Sequence, residues 1–274
     1  MSAVSVPLVR SVSALRGAVA AWRSAGLSVG LVPTMGALHA GHTTLVTQIK
    51  RSCDRVVTSI FVNPAQFAAH EDLGRYPRDE SGDLEKLAAV GCDLVYAPSV
   101  SEIYPEGFAT KVLVSGVADP LEGAHRPQFF GGVATVVCKL LTQCGPDAAI
   151  FGEKDYQQLQ VIRRMVRDLD LPVSILAGPT VREEDGLALS SRNAYLTPVE
   201  RRHAVALPQA MAQVQREISA GATIGDALAP ALAALTAAGL GPIDYLAVCD
   251  PDSLEAYPVD QPLGRPARLL AAAW

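Results

Sequence analysis

Along the first 180 residues, short unbroken apolar runs alternate with segments whose apolar positions recur every three or four residues. The runs are LSVGLV (27–32), RVVTSIFV (55–62), DLVYAP (93–98), AAIFG (148–152) and PVSILAGP (172–179). Runs this short and rich in β-branched residues predict buried strands. Between them, TTLVTQIKRS (43–52), DLEKLAAVG (83–91), VATVVCKLLTQC (133–144) and YQQLQVIRRMVRDLD (156–170) carry the helical period. Strands alternating with helices predict an α/β domain with a doubly wound parallel sheet. After residue 180 the pattern changes to a polar stretch, VREEDGLALSSRNAYLTP, then Ala-rich helical segments over 198–238, a strand pattern PIDYLAVCD and a terminal ARLLAAAW. The expected division is a main domain over 1–180 and a smaller C-terminal α+β domain over 181–274.

Composition narrows this picture in three ways. Hydrophobic residues make up 49% of the chain and aromatics only 5%, so the core is expected to be aliphatic. The 23 Lys and Arg against 28 Asp and Glu give a net charge of -5, which disfavours a protein that grips long nucleic acid through phosphate contacts but leaves a nucleotide open. Arg10, Arg16 and Arg23 interrupt the N-terminal segment, and no apolar run approaches the ~20 residues that span a bilayer. A cytoplasmic protein without membrane or nucleic-acid partners is expected. Cys53, Cys92, Cys138, Cys144 and Cys249 are odd in number and widely spaced, and are expected to be ordinary buried thiols.

Three polar stretches directly follow predicted strands: PTMGALHAGH (33–42), NPAQF (63–67) and GEKDYQQ (152–158). In open α/β sheets small ligands bind outside the carboxyl ends of the strands, so the three are expected to converge. In the first, Gly36 and Gly41 permit a ligand to approach the backbone, and a helix beginning beside His42 offers free N–H groups to a phosphate. His39 and His42 can donate to phosphate oxygens and, when protonated, stabilise developing negative charge. On spacing alone, a turn histidine beside a capping histidine explains the pair equally well. In the third stretch Lys154 can hold a phosphate, and Asp155 can accept from a ribose hydroxyl or orient the lysine, a role for which Glu153 competes. Asn63 and Gln66 supply neutral polar groups, and of the adjacent Gln157 and Gln158 only one is expected to face a site. Ser190, Ser191 and Arg192 form a compact set able to close over polyphosphate, with Gly186 as a pivot, although a surface turn accounts for them too. No G-x-S-x-G elbow, Walker A motif or G-x-G-x-x-G is present, and the histidines lack the H-E-x-x-H arrangement of a zinc site.

Taken together, PTMGALHAGH, SIFVNPAQF, YPR, LEGAHRP, GVATVV, FGEKDYQQL and DGLALSSRN resemble, in order and separation, the pantoate–β-alanine ligase family of the HxGH nucleotidyltransferases. The resemblance covers about residues 28–200. It implies a Rossmann-like domain that binds nucleotide and pantoate, a C-terminal lid domain, and a homodimer. The implied reaction has two steps: the carboxylate of (R)-pantoate attacks the α-phosphorus of ATP to give pantoyl adenylate and pyrophosphate, then the amine of β-alanine displaces AMP to give pantothenate. Carried over by position, the resemblance implies an ATP site formed by Met35, Gly36, Ala37, Leu38, His39, Ala40, Gly41, His42, Gly152, Glu153, Lys154, Asp155, Val181, Leu189, Ser190, Ser191 and Arg192. His42, His39 and Lys154 are the implied catalytic groups, with His42 as proton donor and His39 its partner on the phosphates. Gln66, Gln158 and Asn63 are the implied pantoate ligands, with Gln66 also near β-alanine, and Arg126 is implied in shaping the site.

The chain departs from the family pattern at several points. Leu189 stands where methionine is common, and Phe129-Phe130 stands where relatives carry a histidine. Some relatives have adjacent acids after YPR that are associated with magnesium, whereas here Gly82 lies beside Asp83. Magnesium is expected as the counter-ion of ATP, with its protein ligands unassigned. Relatives usually add a strand after the segment equivalent to RLLAAAW, so the small domain is expected to be shortened or completed differently. Two other readings compete: an adenylyltransferase that stops at the nucleotidylated product, and a regulatory module that binds ATP without turning it over. A tRNA synthetase is disfavoured by the acidic balance and the lack of a recognisable RNA-binding appendage.

Overall fold

The computed structural model describes residues 5–68 and 71–274, which form two compact units. The first comprises Met1–Val114 with Gln128–Val181, and the second Ser115–Pro127 with Arg182–Trp274. The excursion at 115–127, which a single cut near residue 180 places in the main domain, clusters with the second unit.

In the first unit, six parallel strands form one sheet: β1 (Leu8–Val9), β2 (Val29–Thr34), β3 (Arg55–Ile60), β4 (Leu94–Tyr96), β5 (Ala148–Gly152) and β6 (Ser174–Gly178). Their order is β1-β4-β3-β2-β5-β6. The connecting helices are α1 (Val12–Ser24), α2 (Ala40–Ile49), α3 (Glu80–Ala89) and the single turn α4 (Val100–Ile103). The one-turn α5 (Glu122–His125) belongs to the second unit, and α6 (Phe129–Cys144) and α7 (Tyr156–Asp168) return to the first. This is the expected doubly wound sheet, with one strand more than the sequence predicts. The chain winds outwards from β2 through β3 and β4, then resumes on the other side with β5, so the direction of winding reverses between β2 and β5. In sheets of this kind, ligands bind at the carboxyl ends of the strands where the winding reverses.

Alternation along β2 shows why the strands are buried on both faces. Val32 packs with Leu45, Val46 and Ile49 of α2 and Leu87 of α3, joined by Val56, Val95 and Ile150. Leu31, Val57 and Ala149 are equally buried but point the other way, because successive side chains alternate across a strand. The core is aliphatic, as composition requires. All five cysteines are free, and all but the half-buried Cys138 are buried. Among the described residues no helix is long and apolar enough to cross a membrane.

The second unit packs α8 (Pro198–Ala204), α9 (Ala206–Ser219) and α10 (Ile224–Ala237) with an antiparallel pair, β7 (Ile243–Cys249) and β8 (Arg268–Ala273). Val214, Ile224, Ala231, Leu235, Leu246 and Val248 form its own core. The RLLAAA segment is the second strand of that pair, so the terminal apolar run completes a small sheet.

Candidate active site

The three polar stretches follow β2, β3 and β5, which are neighbours in the sheet, so they emerge at one edge. The first makes a tight turn before α2. Gly36 has φ +80°, and a Cβ there would meet the Asp83 carboxylate and Ile60 at 3.1 Å, so both conformation and space require glycine. Ala37 also has positive φ, 49°, a conformation that costs energy for a residue with a side chain.

Asp83 holds that strained turn in place. Its side chain reaches from the first turn of α3, is only 1% exposed, and accepts from the backbone N–H of Ala37 at 2.8 Å and of Leu38 at 2.7 Å. Lys86 lies 3.7 Å from it, one turn along the helix. The acid after YPR therefore faces inward, onto the backbone of the histidine loop. Sequence reasoning considered this position only beside the magnesium question, since partners 45 and 46 residues away leave no mark in a local pattern.

The histidines form a reciprocal cap. His39 is the N-cap of α2, and its Nδ1 accepts from the Gly41 N–H at 3.1 Å; the His39 N–H in turn donates to Nδ1 of His42 at 3.3 Å. The rings lie 4.1 Å apart. Since each Nδ1 accepts from a backbone N–H, each ring carries its proton on Nε2 and presents Nε2–H as its donor. Burial is the main cause that pushes His42 down to about 3; repulsion from His39, Lys154 and Lys86 adds to it and Asp155 opposes it. Burial also lowers His39, followed by the Lys154 charge. Of the two ways open to them, donating as neutral rings or stabilising charge as imidazolium, the lowered proton affinities favour neutral hydrogen-bond donors near neutral pH. The spacing admitted both a capping pair and a phosphate-directed pair, and the geometry permits the two roles at once.

Gly152 ends β5, and Glu153–Asp155 form a single 3-10 turn before α7. Lys154 lies 3.5 Å from Asp155, and the charges of both reach the two histidines, so the first and third stretches do share one electrostatic site. On α7, Gln157 is buried at 5% exposure while Gln158 is half-buried. In the second stretch Asn63 caps the 3-10 turn Pro64–Gln66, and both Asn63 and Gln66 are buried. Helix α6 presses against this turn at Gly132, where a Cβ would collide with the carbonyl oxygen of Ala65. Met35, Leu38, Ala40 and Gly41 belong to the turn and the start of α2.

The remaining candidates lie elsewhere in the chain. Val181 is the last residue of the first unit, while Leu189, Ser190, Ser191 and Arg192 belong to the second. Ser190 caps the 3-10 turn Ser191–Tyr195 by accepting from the Arg192 N–H at 3.3 Å, and Asn193 Nδ2 donates to the Ala188 carbonyl at 3.0 Å. Arg126, in the second unit's excursion, pairs with Glu122 at 2.8 Å. Among the described residues no three His, Cys, Asp or Glu side chains are grouped as they would be to hold a metal ion.

With this geometry in hand, residues 7–274 match the family model described as pantoate-beta-alanine ligase. The chain belongs to the pantoate–β-alanine ligase family. It is 56% identical to a pantothenate synthetase of Caulobacter vibrioides over 270 residues, covering 97% of this chain and 94% of that one. A pantothenate synthetase of Paramagnetospirillum magneticum is also 56% identical over 269 residues, covering 98% and 94%. Among solved structures, pantothenate synthetase from Thermus thermophilus superposes with a TM-score of 0.91 at 46% identity, over 98% of this chain and 95% of that one. Pantoate-beta-alanine ligase from Francisella tularensis, solved in complex with beta-gamma ATP and β-alanine, superposes with a TM-score of 0.74 at 32% identity, over 88% and 90%. Membership of the pantoate–β-alanine ligase family makes the chain a ligase of pantothenate synthesis.

Proposed function

We propose that the chain condenses (R)-pantoate with β-alanine at the expense of ATP through a pantoyl-adenylate intermediate, releasing pyrophosphate and then AMP. The observation that carries this reading is the pair of Nε2–H donors beside Lys154 at the winding reversal of the sheet, together with the absence of any activated nucleophile in the described site. Such a site can bind and stabilise charge on phosphates but offers no group to carry an acyl chain, which leaves the substrate carboxylate to attack phosphorus directly. Lys154 holds phosphate, His39 and His42 donate to the oxygens that gain charge, and Gln66, Gln158 and Asn63 receive pantoate, with Gln66 extending to β-alanine. Within the first unit, Gly152–Asp155, Met35–Gly41 and Val181 line the nucleotide. Magnesium would enter as the counter-ion of ATP and neutralise charge developing on the pyrophosphate, with its protein ligands unassigned. A homodimer rests on the family resemblance alone, and a cytoplasmic location on the sequence.

Nucleotide product analysis tests the reaction. With ATP, magnesium and pantoate, multiple turnovers to AMP and pantothenate are expected only when β-alanine is added. AMP-free mixtures under all conditions would favour an ATP-binding module, and steady release of an adenylylated product indifferent to β-alanine would favour the other adenylyltransferases.

The neutral histidines also predict the pH dependence. The single-turnover rate of pyrophosphate release is expected to show no decline as pH rises from 6 to 8, since His42 is already neutral there; a fall above pH 6.5 would contradict the neutral-donor role. Stability has the opposite limb. The unfolded chain takes up a proton on His42 near 6.5 and the folded chain only near 3, so stability is lost as pH falls through that window.

A further inference from the structure

We propose that Tyr104 is a positioning residue: its hydroxyl holds in place the Asn63 side chain, whose amide orientation, set by the main chain, decides which end of the Gln66 amide faces the acid substrate. The inference rests on the reading of Gln66 as a pantoate ligand. Tyr104 immediately follows α4, and its hydroxyl lies 2.8 Å from Oδ1 of Asn63, which also accepts from the Ala65 N–H at 3.2 Å. A backbone N–H can only donate, so the atom it meets is the amide oxygen. On the other side, Nδ2 of Asn63 donates to the Gly132 carbonyl at 3.1 Å, and a carbonyl can only accept. The orientation of the Asn63 amide is thus set twice, independently.

That orientation decides the next one. The second hydrogen of Nδ2 points at Gln66, whose nearest atom, at 2.8 Å, must then be the acceptor Oε1. A reversed Gln66 would oppose two NH2 groups in a buried setting, where Asn63 is 1% and Gln66 9% exposed. Gln66 therefore directs its NH2 group away from Asn63. A group that donates suits the carboxylate and hydroxyl oxygens of a 2-hydroxy acid and discriminates against a ligand that offers a donor there. The Tyr104 ring is held between Phe61, centroids 6.2 Å apart, and Phe108, centroids 5.1 Å apart. Burial keeps its hydroxyl protonated, raising it to about 12 although the Asn63 contact acts the other way, so the group remains a donor throughout the working range.

Tyr104→Phe keeps the ring and deletes only the hydroxyl. Steady-state kinetics should show the KM for pantoate raised roughly five- to tenfold, with the KM for ATP within about twofold of wild type, as expected for loosening one buried hydrogen bond at one substrate. In the background of Gln66→Ala, itself expected to raise the KM for pantoate, adding Tyr104→Phe should have almost no further effect. An unchanged pantoate KM in Tyr104→Phe beside a raised one in Gln66→Ala overturns the relay and leaves the pantoate site intact. Equal losses for pantoate and ATP, or full additivity in the double variant, show a merely structural tyrosine and also overturn it. An unchanged pantoate KM in Gln66→Ala removes the underlying reading, and the relay with it.

Discussion

His42→Ala is expected to slow single-turnover formation of the adenylate by about 10²- to 10³-fold while changing the affinity for pantoate by less than about threefold, because the lost donor acts on charge that develops only in the transition state. The variant also loses the Nδ1 acceptor that completes the start of α2, a capping contribution of about 1 kcal/mol to stability. The two losses differ in size and can be read separately, the first by rapid quench of pyrophosphate release and the second by urea denaturation. A single-turnover rate within threefold of wild type would remove His42 from the chemistry and leave it a helix cap.

Asp83→Ala comes next in size and tests the clamp on the histidine loop. It strips the acceptors from two N–H groups at once, those of Ala37 and Leu38, in a turn already bent into positive φ at residues 36 and 37. Each donor left unsatisfied costs about 1–3 kcal/mol, so a destabilisation of roughly 2–6 kcal/mol is expected. A raised KM for ATP should accompany it, since the proposed nucleotide site uses the backbone of that turn. Asp83→Asn retains one acceptor and should recover part of both effects. A stability change below about 1 kcal/mol with unaltered ATP kinetics would show that the turn holds its shape without the carboxylate.

The alternation of apolar runs and helical periods was enough to read five of the six parallel strands, because β2 to β5 are buried on both faces and even the half-buried β6 keeps a continuous apolar run. β1 escaped that reading: it is two residues long, and its pairing of Leu8 with Val95 and Val9 with Tyr96 spans most of a hundred residues of chain. That the three polar stretches emerge at one edge was legible because strand ends share an edge whatever the details of packing. What supports them was not. Asp83 and Tyr104 act across 40 residues or more, and an acid or a tyrosine in a helix start or loop carries no local sign of what it touches. The charge state of the histidines was likewise out of reach, since it follows from burial and from which ring nitrogen a backbone N–H occupies.

The seat of the Pro64–Gln66 turn on Gly132 bears on substrate range. Elsewhere a binding wall can be cut back by exchanging a large side chain for a small one, but here main chain meets main chain and the opposing residue is already the smallest available. Asn63 ties the same two segments together through the Gly132 carbonyl. In the proposed pantoate site, retailoring for bulkier 2-hydroxy acids therefore has nothing to remove behind this turn, and useful variation must be sought among the side chains that face it.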